Sequence, residues 1–228
     1  MKNKEIQEQR MKGYFLQATK EILKAEGLKG ISVRSIADKA GYSYATLYSY
    51  FKDINDLIFL CVHDFYEECK QHVKEHAKKG DKGIKRLKVA ILAYGSFFVQ
   101  YPGVFDLFFI EKMSETKGKK AVVDAISFSL DRICEEEWNY CISRNIVKAG
   151  QVELMKGQIR STVFGLLLLY LNRRTPVSYT EFINQFNIQL DAILETGPAA
   201  TVRQEGGVQA GNSAIHNSLI SIRVGNNF

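Results

Sequence analysis

Two short stretches of this 228-residue chain hold side chains whose types and spacing could do chemistry. The first is His72-Val-Lys-Glu75-His76. Placed on a helix, His72 and His76 stand one turn apart and could hold a zinc ion, with Glu75 as general base. Cys69 lies one turn upstream. The second stretch is Ser43, Tyr44, Ala45, Thr46, Tyr48, Ser49 and Tyr50, followed by Lys52. It offers hydroxyl and ammonium donors over about two helical turns, which suits phosphate oxygens and base edges.

The metal reading weakens on its context. The His/Glu segment runs into Lys78-Lys79-Gly80, a polar helix end, and no third ligand stands near it in sequence. A solvated helix end is expected, with a metal-dependent hydrolase built on His72, Glu75 and His76 kept as the alternative. No metal site, catalytic residue or cofactor is assigned. Cys61, Cys69, Cys134 and Cys141 form no C-x-x-C pair and read as reduced thiols. The basic run Lys78, Lys79, Lys82, Lys85, Arg86 and Lys88, and the acidic Glu135–Glu137, read as solvated faces.

The elements around the second stretch are helices. Met11, Tyr14, Phe15, Ala18, Ile22 and Ala25 recur every three or four residues, and Gly27 stands where a helix would end. Ser32 can cap a short second helix with Val33, Ile36, Ala37 and Ala40 inward; Gly41 suits the turn after it. Ser43 can cap a third helix, Tyr44–Tyr50, in which Leu47 and Phe51 face inward. Asp53 can cap a long fourth helix, with Asp56 as its capping-box partner and Leu57, Cys61, Phe65 and Cys69 inward. Further helices are expected over 84–101, 102–113, 121–144, 151–172 and 179–194, with a charged loop at 114–120. Only three prolines interrupt the chain, and no strand pattern emerges. The fold expected is all-α, with about nine helices.

Three helices in the first 52 residues, the last two short and joined at a glycine, describe a helix-turn-helix. Ile31–Leu57 resembles the DNA-binding signature of the TetR family of bacterial transcriptional regulators. The matching residues are Ser32, Ile36, Ala37, Ala40, Gly41, Tyr42 and Ser43, then Leu47, Tyr48, Tyr50 and Phe51, then Leu57. The resemblance implies that Arg34 meets phosphate or a groove edge. It implies that Tyr44, Ala45 and Thr46 approach base edges and that Tyr48 bonds a phosphate, flanked by Ser49, Tyr50 and Lys52. Ser43 and the amides beside it are expected to form an anion site. Tyr42 replaces an apolar residue and is expected in the core. The family commonly has a Lys at the start of the fourth helix; here that place is Ile54, with Lys52 the nearest replacement.

These readings divide the chain at 1–56, 57–195 and 196–228. The first part carries ten Lys/Arg against seven Asp/Glu. It is the expected reading head for a palindromic operator. The second is expected to bind an effector and to pair two copies of the chain. Phe97, Phe98, Tyr101, Phe105, Phe108, Phe128, Trp138 and Phe164 are candidates to line a pocket for a small hydrophobic or aromatic effector. Val163, Leu167, Tyr170, Phe182, Phe186 and Leu190 are candidates for a four-helix homodimer interface. The third part lacks lysine, is rich in Gly and Asn, and is expected to stay out of the core. The N-terminus lacks an apolar signal segment, and the longest apolar run, Val163–Leu171, is too short to span a bilayer. A cytoplasmic bacterial regulator is therefore expected, most simply a repressor, with an effector-free architectural DNA-binding protein as a further alternative.

Overall fold

A computed structural model describes residues 2–110 and 126–196. The expected loop at 114–120, the start of the helix at 121 and the tail lie outside the described residues, Thr196 apart. The described residues hold ten α-helices and no strand. In chain order they are α1 (Lys2–Glu26), α2 (Val33–Ala40), α3 (Tyr44–Tyr48), α4 (Ile54–Ala77), α5 (Ile84–Gln100), α6 (Pro102–Phe105), α7 (Ser129–Ile133), α8 (Glu135–Ser143), α9 (Ala149–Leu171) and α10 (Tyr179–Thr196).

The caps explain the boundaries. Ser32 Oγ accepts the Ser35 amide, and the Ser35 hydroxyl closes the box on the Ser32 amide. Gly41 ends α2 at φ 76°, a left-handed position that glycine fills without strain. Asp53 accepts the amides of Asn55 and Asp56 at 2.7 and 2.9 Å. Such caps stabilise a helix end by about 1 kcal/mol each. Gly27, at φ 66°, ends α1 where expected and opens a 3₁₀ turn, Gly27–Gly30.

Three elements differ from expectation. α1 starts at Lys2 rather than near Met11, because its first turns are helix-prone but have no apolar stripe to reveal them. The expected helix over 121–144 is broken at Cys134, which leaves helical geometry at φ −94°, ψ 9° and separates α7 from α8. α6 lasts one turn and passes into a π-helical turn over 106–110.

Two apolar cores form. Phe15, Ile22, Ile36, Leu47, Phe51 and Leu57 make the smaller, which fixes α2 and α3 on α1. The larger draws on α4 to α10 and includes Leu23 of α1. Neighbouring residues of α4 split between them: Leu57 enters the first and Ile58 the second. Lys20 pairs with Asp64 and Glu68, and Lys24 pairs with Glu68 at 2.7 Å while lying 4.6 Å over the Tyr101 ring. These contacts bind α1 to α4 and to the end of α5.

Candidate nucleic-acid interface

α3 is amphipathic in one turn. Leu47 is fully buried beside Phe51, so Tyr44, Ala45 and Tyr48 must point outward. Ser43 Oγ accepts the Thr46 amide at 3.1 Å and lies 2.9 Å from the Thr46 hydroxyl. That pairing fixes the start of the helix and the Thr46 rotamer. Val33, Arg34, Ala37, Asp38, Tyr42, Ser43, Tyr44 and Tyr48 line an open cleft between α2 and α3. Arg34 is almost wholly exposed and loosely paired with Asp38 at 3.9 Å. Lys52 is exposed just past α3. The structure thus brings Arg34, Ser43, Tyr44 and Tyr48 to one cleft, with Ala45, Thr46 and Lys52 beside it.

Three members are placed less simply. The Ser49 hydroxyl donates to the Ala45 carbonyl at 3.2 Å, so its proton is already committed. The half-buried Tyr50 ring packs toward Phe15 at 6.4 Å. The Thr46 amide is held by Ser43, which leaves only the amides of Tyr44 and Ala45 for the expected anion site. Tyr42 corrects an expectation outright: it is 37% exposed, lying on Phe15 and Tyr14 at 5.7 and 5.9 Å rather than inside the core. A phenol can cover apolar rings while its hydroxyl stays wet.

The aromatic candidates of the second core separate into groups. Phe98 touches Phe97, Phe105 and Phe108 edge to face at 5.4–5.9 Å. Phe109 bridges Phe105 to Phe164, at 5.3 and 4.5 Å. Phe109 stands one turn after Phe105 and joins the same aromatic cluster. Tyr101 meets Phe97 edge to face under Lys24, and Trp138 is buried on α8. Phe128 stands apart: it is 48% exposed, with the Arg160 guanidinium over its ring. Sequence reasoning missed a buried polar pair, the Tyr94 hydroxyl 2.7 Å from the Ser129 hydroxyl. Burial holds the Tyr94 phenol well above its ordinary pKa, so it stays neutral.

The six residues expected at a dimer interface are instead covered by their own chain. Val163, Leu167, Phe182, Phe186 and Leu190 are fully buried, and Tyr170 stacks on Phe182 at 4.8 Å. Their stripe is the face that α9 and α10 turn to α5 and to each other. The outward face carries Leu154, Leu168, Leu169 and Ile188 instead.

Each residue of the His/Glu motif makes a hydrogen bond within the chain. The Ser96 hydroxyl donates to the Ala93 carbonyl at 2.9 Å, so it accepts from His72 Nε2 at 3.1 Å. His76 Nδ1 donates to the His72 carbonyl, and Glu75 accepts from Gln71. No group of three metal-ligating side chains occurs among the described residues. His72 is half-buried rather than solvated. Burial first, then the neighbouring His76, lowers its pKa below the ordinary 6.5. At mildly acid pH the unfolded chain therefore binds more protons than the folded one. The stability contributed by neutral His72 is complete above about pH 6.5 and is lost as pH falls below it. His72→Gln is expected to flatten stability between pH 7.5 and 5, measured by urea unfolding; an unchanged profile would refute this.

The family model described as "Bacterial regulatory proteins, tetR family" matches residues 15–61, which span α1 to α4 of the candidate interface. No curated protein matches the chain in sequence. Solved structures share its fold. FadR from Bacillus subtilis, solved with stearoyl-CoA, has a TM-score of 0.62 at 18% identity, covering 81% of this chain and 97% of its own. A protein from Rhodococcus sp. RHA1 reaches 0.67 at 18% identity, covering 82% and 95%. AibR, solved with isovaleryl coenzyme A and operator DNA, reaches 0.58 at 14% identity, covering 80% and 97%.

Proposed function

Since the chain belongs, through its N-terminal helix-turn-helix, to the TetR family of bacterial regulatory proteins, and so is a DNA-binding transcriptional regulator, we propose that it is a repressor released by a small hydrophobic effector. The observation that carries this reading is the outward hydroxyl face of α3, held by the Ser43 cap over buried Leu47. Residues 1–56 form the reading head, and 57–195 form the effector and dimer domain. Arg34, Ser43, Tyr44, Ala45, Thr46, Tyr48 and Lys52 meet DNA; Ser49 and Tyr50 support them. The protein performs no catalysis and uses no cofactor. It works in the bacterial cytoplasm, and among the described residues no helix is long and apolar enough to cross a membrane.

Selection from random double-stranded DNA tests the reading: a palindrome with half-sites one helical turn apart is expected. Recovery of no sequence preference overturns it. On the selected site, Tyr48→Phe and Thr46→Ala are each expected to weaken binding about tenfold, the worth of one hydrogen bond, to a charged phosphate for Tyr48 and to a base edge for Thr46. Unchanged affinity in both variants refutes the assignment.

The effector proposed has an acyl or aryl portion that enters among Phe98, Phe105, Phe108, Phe109 and Phe164. Support comes from that aromatic cluster and from two similar folds solved with acyl thioesters of coenzyme A. Stearoyl-CoA and isovaleryl-CoA are the first probes, followed by aromatic carboxylates. One of them is expected to change Trp138 fluorescence, raise the Tm and release the selected DNA. Silence across all three readouts counts against an effector and favours an architectural DNA-binding role.

Two copies pair through the outward face of α9 and α10. Gly157 and Gly165 lie within α9, where glycine costs about 1 kcal/mol relative to alanine. Yet added Cβ atoms there would meet nothing closer than 3.9 Å in the chain itself. Close approach of a partner helix accounts for them. Leu154, Ser161 and Leu168 continue the same line at seven-residue spacing.

A further inference from the structure

The first turns of α1 have no packing role in the chain. The helix begins at Lys2, well before the family match at residue 15, and Asn3–Arg10 are all exposed. A short solvated helix is marginal in water, so such a projection favours a partner that meets it. One of its faces is chemically uniform. At about 100° per residue, Asn3, Gln7 and Arg10 fall within roughly 40° of Tyr14. Each of these four side chains offers hydrogen-bond donors. The acids Glu5 and Glu8 stand roughly 120–180° away. Glu8 is turned to Lys12, at 2.7 Å, and among the described residues no side-chain hydrogen bond or ion pair engages Asn3, Gln7 or Arg10.

Tyr14 fixes where this face points. Its ring lies 5.9 Å from that of Tyr42, and Tyr42 lines the α2–α3 cleft with Ser43 and Tyr44. The donor stripe is therefore continuous with the DNA-reading surface. We infer that Asn3, Gln7, Arg10 and Tyr14 form a second DNA contact, which grips backbone phosphates flanking each operator half-site. This rests on the proposed DNA-binding function and extends its footprint beyond the helix-turn-helix. The stripe is free of acid, so it repels no phosphate, and its amides and guanidinium suit phosphate oxygens without reading sequence.

The probe is the site recovered from random double-stranded DNA by the full chain. Compared with wild type, N3A/Q7A/R10A is expected to lose the outermost protected nucleotides of each half-site in hydroxyl-radical footprints. Affinity falls about three- to tenfold, and the dependence of log K on log salt flattens by about one unit, as for one lost phosphate contact. Arg10→Glu, equally helix-prone, should weaken binding further, whereas Glu5→Ala on the opposite face should not. Circular dichroism checks that α1 stays helical. A triple variant and an Arg10→Glu variant with wild-type footprint and salt slope overturn the inference while leaving the DNA-binding function standing. A full chain that selects no site overturns that function and the inference together.

Discussion

Replacing Leu168 or Ile188 by glutamate is expected to give a folded monomer that has lost operator binding by about 100-fold or more. Ile188 is 65% exposed and Leu168 is exposed on the adjacent helix, so neither contributes much to its own chain's core. A carboxylate there costs little in the monomer but meets its symmetry mate's equivalent face when two copies pair. A dimer holds its second reading head at high effective concentration, and losing that tether removes roughly 10²–10⁴ in avidity. Sedimentation equilibrium and gel shift on the selected site measure both effects. The contrast is Phe186→Ala. Phe186 is fully buried within the chain, so its truncation is expected to cost about 3–5 kcal/mol of folding stability. If the glutamate variants remain dimeric, the outward face is not the interface.

That contrast also shows where sequence reading stopped. The 3.6-residue periodicity in α9 and α10 revealed a buried stripe correctly, but periodicity cannot say what does the burying. α5 packs against both helices, with Gly95 against Phe186, and only the fold could show it. The second apolar face was legible afterwards as Leu154, Leu168 and Ile188, with helix glycines that nothing in the chain requires. The reading head was legible in more detail because its signals are local. Ser32, Gly41, Ser43 and Asp53 act within four residues of themselves, through caps and a left-handed turn. Tyr42 shows the limit of residue type as a guide: its ring covers Phe15, and its edge remains in solvent. The first turns of α1 had no apolar stripe to find; their regularity is a donor stripe, which a search for cores passes over. The aromatic set had the opposite weakness. Ring residues that line pockets also fill cores, and Phe128, half exposed under Arg160, does not fill one.

Gly103→Ala is expected to destabilise the protein by about 3 kcal/mol and to disturb the link between its two cores. Gly103 sits in α6 directly against the end of α1. A Cβ there would run into the Leu23 carbonyl and stand 3.0–3.1 Å from the amide nitrogen and Cα of Gly27. All of these are backbone atoms, so no side chain can swing aside. Gly27 is itself held at φ 66°, which limits how far the α1 terminus can move. The remaining relief is for α6 to lift, which uncovers Val104 and Phe105 from the larger core. For a chain of this size the Tm should fall by roughly 6–10 °C. Because α1 carries α2 and α3, its displaced end should also weaken operator binding and blunt effector release. Gly150→Ala supplies the comparison: that glycine lies in the first turn of α9, where an added Cβ meets nothing within 4 Å. There the change should be neutral or stabilising by about 0.5 kcal/mol, through a less flexible unfolded chain. Equal melting temperatures for the two variants would refute a tight α1–α6 contact. A destabilised Gly103→Ala with normal operator affinity would show that the contact supports the fold without positioning the reading head.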